Sequence, residues 1–248
     1  MKAFKTMLKV EGILAIRSMD SIFFGIIFPM VVAFLIGIIY GNKPAFKGAN
    51  YTMLQASFAA VVSIGICATG LMGLPIVISD YRNKSILKRF KVTPVSPMEI
   101  IVVQIVVCFA ITTISALGVF FVCKLAFGYT MNGSIIKFML TFILVTICIY
   151  SIGGLISSLA PNVKIANLIC NLVYFPMIFL SGATIPYEIL PRSAQKVSNV
   201  MPLTQGIKLL KETSLGEPVY NIMFSIVFMI AIAVLCIVIS LKSFKWEE

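Results

Sequence analysis

Six stretches of the chain are bounded by charged residues and contain none inside, and they constrain its fold more than any motif does. They lie between Asp20 and Lys43, Lys47 and Asp80, Glu99 and Lys124, Lys137 and Lys164, Lys164 and Glu188, and Glu217 and Lys242. A bilayer core about 30 Å thick takes roughly 20 helical residues to cross, so each stretch is long enough for one crossing. With 60% hydrophobic residues, 12% charged residues and a mean hydropathy of +1.05, a soluble globular class is excluded. The expected fold is all-α, a polytopic integral membrane protein forming a single domain over residues 1–248. Its spans are expected at about 21–41, 52–79, 100–123, 138–160, 165–185 and 218–241. Ala160-Pro161-Asn162-Val163-Lys164 is read as a tight turn between the fourth and fifth spans, because one helix across both would be far too long.

What the spans omit limits the chemistry. The chain has no histidine, which removes the commonest general base and metal ligand. No catalytic, cofactor or metal residues are assigned. No Asp, Glu, Lys or Arg falls in the central part of any span. Such a residue costs about 2.5–3.5 kcal/mol there and is retained mainly where ions or protons are handled. A sodium site built from carbonyls and hydroxyls stays open. There is no G-x-x-x-x-G-K-[ST] loop, so the chain does not bind ATP in that way. Cys67, Cys108, Cys123, Cys148, Cys170 and Cys236 lie in or at the ends of apolar runs and read as small packing residues.

The net charge of +11 is distributed in short segments beside spans, a pattern that anionic lipid and topology explain without nucleic acid. With the N-terminus in the cytoplasm, twelve basic residues fall inside and eight outside, and the bias is clearest around the first three spans. Both termini are therefore expected in the cytoplasm, with the protein in the inner (plasma) membrane. Residues 1–20 carry Glu11, Arg17 and Asp20 and no cleavage pattern. Met1, Phe4, Met7, Leu8, Leu14 and Ala15 share a helical face there, with Lys2, Lys5, Lys9 and Arg17 opposite. Glu11 intrudes on the apolar side, and Ile13 and Ile16 stray from it. This reads as a helix lying on the inner leaflet, the alternative being a basic tail that only sets orientation.

Between the second and third spans, residues 80–99 form a charged, patterned island. If the stretch from Lys84 to Lys91 is helical, Ile86, Leu87 and Phe90 fall on one arc, while Lys84, Lys88, Arg89 and Lys91 point elsewhere. Pro94 stops such a helix and Pro97 opens the next. The pattern describes a docking element whose apolar knobs need a receptor.

Within the spans, Asn167 and Asn171 are four residues apart and form a polar stripe facing a pathway or a neighbouring helix. Gly37 and Gly41 have the spacing of a helix dimerisation motif. Beyond the fifth span, residues 186–217 are expected to form two short helices at the outer side, re-entrant or interfacial. Pro186, Pro191 and Pro202 punctuate their starts; Leu203, Ile207 and Leu210 make an apolar face, with Thr204, Lys208 and Lys211 turned away. The alternative is a solvated connector.

Lys-Arg-Phe-Lys-Val-Thr-Pro-Val-Ser-Pro at residues 88–97, Leu-Ser-Gly-Ala-Thr-Ile-Pro-Tyr-Glu-Ile-Leu-Pro at 180–191 and Met-Pro-Leu-Thr-Gln-Gly-Ile-Lys at 201–208 together resemble the membrane subunits of type-2 ABC exporters. That class includes bacterial multidrug, bacteriocin-immunity and polysaccharide or teichoic-acid exporters. Where family loops commonly read Arg-x-x-Gly-Thr-Leu, this chain has Arg82-Asn-Lys-Ser-Ile-Leu. The resemblance implies that the N-terminal helix is an elbow on the membrane and that residues 80–99 are a coupling helix seated in an ATPase subunit. Arg82, Lys84, Ile86, Leu87, Lys88, Arg89, Phe90 and Pro94 would carry that contact. It further implies an outer helical cap and a dimer, formed with a second copy or a similar permease through spans one and five. ATP and magnesium would be bound by the cytoplasmic ATPase partner and no cofactor by this chain. A self-contained secondary carrier or channel, with the basic loop anchored to lipid, is the alternative.

Overall fold

The computed structural model describes residues 2–41, 43–45, 49–84, 97–184, 191–216 and 222–243. Among the described residues there are nine helices and no strand. They are α1 (Lys2–Arg17), α2 (Met19–Tyr40), α3 (Met53–Asn83), α4 (Pro97–Phe127), α5 (Ile135–Leu159), α6 (Val163–Leu180), α7 (Arg192–Asn199), α8 (Pro202–Leu215) and α9 (Ile222–Ser243). Six of them, α2, α3, α4, α5, α6 and α9, are long and apolar enough to cross a membrane. Their up-and-down order puts the α3–α4 connection and the α5–α6 turn at one end of the bundle, the near end. The α2–α3 and α4–α5 connections and α7–α8 lie at the far end.

Local sequence sets the helix boundaries. Thr52 and Gln55 form a reciprocal cap on α3: the Gln55 N–H donates to Thr52 Oγ1 at 3.2 Å, and the Thr52 N–H to Gln55 Oε1 at 2.8 Å. The Gln55 amide also donates to the Thr130 carbonyl at 2.9 Å, tying this cap to the α4–α5 connection. Asn162 caps α6 by accepting from the Ile165 N–H at 2.9 Å, which ends the turn after α5.

At the centre of the bundle stands α3. Ala59, Ile66, Cys67 and Leu71 on it are fully enclosed, and its small residues let neighbouring helices approach closely. Lipid gives helices little hydrophobic reason to associate, so close backbone packing carries much of that work. A methyl group on Gly153 of α5 would collide with the Gly70 carbonyl of α3, and one on Gly37 with the Phe127 ring of α4. Gly37 is thus used for packing inside the chain. Gly41 ends α2 with a φ of 53°.

Of the two far-end helices, α8 is more deeply embedded than an amphipathic pattern predicts. α8 packs against α3, α5 and α9, and a methyl on Gly206 would lie 2.9 Å from Val145. Val145 is ten residues into α5, roughly 15 Å of helix, so α8 re-enters the bundle. Thr204, expected to face away, is 1% exposed and lies 3.1 Å from the Ser198 hydroxyl. The Gln205 amide donates to the Asn199 carbonyl at 2.6 Å and its carbonyl accepts from Ser225 of α9 at 2.8 Å. Hydroxyls and amides whose hydrogen bonds are satisfied in this way can be buried without the cost of an unpaired polar group. A pattern of apolar spacing alone therefore underestimates the buried face.

Candidate functional site

At the near end, α1 lies against α4, and Tyr81 in the last turns of α3 donates its hydroxyl to Glu11 Oε2 at 2.6 Å. This bond accounts for the acidic residue on the apolar side of α1. Phe4, Met7, Leu8, Glu11 and Ala15 are partly buried, whereas Val10, Ile13, Leu14 and Ile16 are exposed. The helix therefore has two apolar faces, one packed on protein and the other open. Leu14 belongs to the open face, with Ile13 and Ile16. Periodicity assigned Leu14 to a single apolar face because sequence alone does not distinguish protein from lipid.

α3 continues through Asp80 and Arg82 to Asn83, and Lys84 pairs with Asp80 at 2.7 Å across one exposed turn. Such a pair contributes only a few tenths of a kcal/mol and mainly extends the helix end. Arg82 is half-buried; its Nε and Nη2 are enclosed and have no hydrogen-bond partner among the described residues. Ile86, Leu87, Lys88, Arg89, Phe90 and Pro94 lie outside the described residues, as does Pro186 at the far end.

Three hydroxyls from three spans meet in the interior of the bundle. Thr69 of α3 and Thr112 of α4 are 2.6 Å apart, and Tyr150 of α5 lies 2.6 Å from Thr112 and 2.9 Å from Thr69. Nothing in the sequence spacing singles out Tyr150, whose ring also closes over Gly70. The available signal was the glycine, which leaves room for an aromatic ring on the facing helix.

Asn167 and Asn171 share one face of α6, and the Asn171 amide donates to the Asn167 carbonyl at 2.8 Å and to its side-chain oxygen at 3.1 Å. Asn167 is exposed and Asn171 half-buried, beside the exposed Leu168 and Leu172. At the far end, Pro191 stands immediately before α7 and Pro202 occupies the first turn of α8. There Lys208 donates to the Asn199 side-chain oxygen at 2.7 Å, and the Lys211 ammonium lies 5.9 Å from the centre of the Tyr51 ring. Tyr129 packs on Phe58 with ring centres 4.8 Å apart, and burial pushes its phenol above the ordinary tyrosine value. Among the described residues, no cluster of three or more cysteine or carboxylate side chains is placed to hold a metal ion, and no cysteine is in a disulfide.

An amphipathic helix packed on one end of six membrane-crossing helices and a re-entrant helix at the other define a polytopic membrane protein. The family model described as ABC-2 type transporter matches residues 2–215, and the chain belongs to that family. It is similar to Nodulation protein J of Rhizobium leguminosarum bv. viciae, 37% identical over 89 residues, which are 36% of this chain and 32% of that protein. It is also similar to Nodulation protein J of Rhizobium meliloti (strain 1021), 30% identical over 95 residues, 38% of this chain and 36% of the other. A third relative is the Inner membrane transport permease YhhJ of Escherichia coli (strain K12), 29% identical over 129 residues, 52% of this chain and 34% of that protein. The chain thus spans about a third of the length of the relatives it matches.

Proposed function

We propose that the chain is the permease subunit of an ATP-driven exporter of the inner membrane, with both termini cytoplasmic. Two such subunits, identical or similar, form the path, and cytoplasmic ATPase subunits that bind ATP and magnesium drive it. The chain itself contributes no catalytic group and holds no cofactor. The observation that carries this reading is the bond between Tyr81 and Glu11. It fastens α1 to α3 close to where the loop leaves the membrane, so that a load on the loop is passed to two elements at once. Membership of the ABC-2 type transporter family supports an ATPase partner, and the name of the Escherichia coli relative supports a place in the inner membrane.

In this mechanism Ile86, Leu87 and Phe90 are the knobs that the ATPase grips, Lys84, Lys88, Arg89 and Lys91 form its polar rim or contact lipid, Arg82 belongs to the same coupling segment, and Pro94 ends the docking helix. Asn167 and Asn171 face the pathway or the second subunit, and α7 and α8, opened by Pro191 and Pro202, cap the outer side with Pro186 before them. The spans carry no charge at their centres, which suits a hydrophobic or amphipathic cargo. The test is Phe90→Ala in the assembled complex. Transport per ATP hydrolysed should fall about tenfold, the size of an ordinary coupling free energy, with the permease still inserted. Unchanged transport and ATPase stimulation would falsify the docking role. Ion-gradient-driven transport by the purified chain alone would select a secondary carrier instead.

A further inference from the structure

One backbone construction occurs twice in the membrane-crossing helices. At the end of a stretch of wider π-type turns in α2, Phe23–Ile27, the Phe28 N–H donates to the Phe23 carbonyl five residues back, and the next residue is Pro29. In α3 the stretch is Ala68–Gly73: the Leu74 N–H donates to the Thr69 carbonyl five residues back, and the next residue is Pro75. Proline has no N–H, so the following carbonyls, of Phe24 and Gly70, receive none from that position. A wide turn with a missing rung is where a continuous helix bends most readily, and π-type turns are frequent at functional sites. The two segments also touch. A methyl group on Gly25 would lie 3.3 Å from Thr69 Cγ2, and one on Gly65 would lie 3.6 Å from the Gly25 carbonyl.

The two sides of this level are held differently. The far half of α3 is tied to its surroundings by directional bonds: the Thr52–Gln55 cap, the Gln55 bond to the Thr130 carbonyl and, at the level itself, Thr69 with Thr112 and Tyr150. On the near side, Tyr81 bonds to Glu11 of α1, and only Ser18 separates α1 from α2. Together α1, the first turn of α2 (Met19–Ile22) and the last turns of α3 (Leu74–Asn83) thus form one body, which rests on α4 through α1. Two side chains with which α3 could fix this body to its neighbours are idle. Ser79 Oγ and Arg82 Nε and Nη2 are enclosed, and none has a hydrogen-bond partner among the described residues. Buried polar atoms of this kind are rare in a fixed interface. Leu74 and Ile78 of the same segment border a groove of about 450 Å³ between α3, α4, α5 and α9, so on that side the body meets open space as well as protein.

We propose that the paired π-type segments are a hinge, on which α1, the first turn of α2 and the last turns of α3 rock as one body against the far half of the bundle, towards and away from the groove. Two pivots in contact define one axis, whereas a single pivot would leave the direction of the swing open. Thr69 lies within the α3 segment, and its hydroxyl, bonded to α4 and α5, sets where the moving part begins. A hinge of this type absorbs the backbone change at a few residues and leaves the elements on either side intact. Only the source of the motion rests on the proposed ATPase coupling, in which a load on the loop between α3 and α4 would turn this body. The hinge itself needs no motor.

The test measures distances between pairs of nitroxide labels by pulsed electron spin resonance, in the full chain in liposomes without ATP. A Cys236→Ser background removes the one native thiol that is not buried. Labels at Asn83→Cys and Ile239→Cys span the hinge, those at Val10→Cys and Asn83→Cys both ride on the body, and those at Ile135→Cys and Met223→Cys report the far half; all five positions are exposed. The first pair should give a broad distribution and the other two narrow ones. Deleting Met72 together with Pro75→Ala removes the extra residue of the wide turn and the proline behind it, and should narrow the first distribution to the width of the Ile135–Met223 pair. Should that variant fail to fold, Thr69→Val decides: it keeps the side-chain shape, loses the hydroxyl bonds to α4 and α5, and should broaden the first distribution alone. A hinge-spanning pair already as narrow as the far pair, a broad Val10–Asn83 pair, or a width left unchanged in whichever variant folds would overturn the proposal. No readout involves ATP, so failure of the hinge and failure of ATPase coupling are distinguishable.

Discussion

The three hydroxyls of Thr69, Thr112 and Tyr150 share only three protons. Thr69 has the Gly65 carbonyl at 3.0 Å and Thr112 has the Cys108 carbonyl at 3.0 Å, each one turn back along its own helix. The 2.6 Å contact between Thr69 and Thr112 takes one threonine proton, so at most one of them donates backwards; Tyr150 supplies the third proton of the cluster and binds the more closely to Thr112. Tyr150→Phe removes that proton and leaves two acceptors facing an apolar ring. Interhelical hydrogen bonds in membranes average about 0.6 kcal/mol and reach about 1.7, so a loss of about 1 kcal/mol is expected in reversible unfolding in detergent. Thr112→Ser, which keeps an acceptor, should cost less than Tyr150→Phe. Equal stability of Tyr150→Phe and the unaltered chain would mean that the threonines supply the cluster's protons. At this scale the sequence was only partly legible. Glu11 stood out as a misfit on an apolar face, but its partner Tyr81 lies 70 residues away, and periodicity carries no information about that pairing.

Two of the membrane-crossing helices contain a stretch of wider π-type turns, at Phe23–Ile27 in α2 and Ala68–Gly73 in α3, and each stretch is followed by a proline, Pro29 and Pro75. Proline lacks an N–H and its ring crowds the carbonyl four residues back, so a wider preceding turn relieves the clash while keeping the helix continuous. In α3 the wide segment includes Gly70, the residue whose carbonyl meets Gly153 of α5. The pair Gly153-Gly154 looks equivalent in sequence, yet the two positions differ sharply. A methyl at Gly153 meets the Gly70 backbone, which has no flexible end to move, whereas at Gly154 its nearest neighbour is the Ser240 hydroxyl at 3.9 Å. Gly153→Ala should therefore destabilise the protein by about 1–3 kcal/mol, the usual cost of overpacking, and Gly154→Ala should be near neutral in the same melting measurement. Comparable losses for the two variants would show that α3 and α5 do not touch at Gly70. The spans themselves were readable because a bilayer imposes one length and one polarity on every crossing. α8 was less so, because Thr204, Gln205, Thr213 and Ser214 are buried through bonds to neighbours that its own pattern does not reveal.

Across the whole molecule, the outer face of α6 is the surface least suited to plain lipid. It exposes Leu168 and Leu172, 65% and 70% accessible, and on the adjoining side the Asn167–Asn171 pair. The mutual bond satisfies only part of two amides, and within hydrocarbon the unsatisfied remainder favours a partner helix. A dimer through this face gives those amides acceptors from a second copy. In native membranes, Leu168→Cys in a Cys236→Ser background should form a cross-linked dimer under mild oxidation, the other native thiols being buried. Leu140→Cys, on α5 and 64% exposed, is the matched control for lipid-facing collisions and should stay monomeric. Replacing both asparagines by leucine should weaken the dimer about fivefold, corresponding to roughly 1 kcal/mol, without changing insertion. If Leu168→Cys cross-links no faster than Leu140→Cys, α6 faces lipid and does not form a contact with a second copy. The sequence singled out these two asparagines from their spacing alone; the structure adds their mutual bond and their exposure, and together these make a second subunit the measurable expectation.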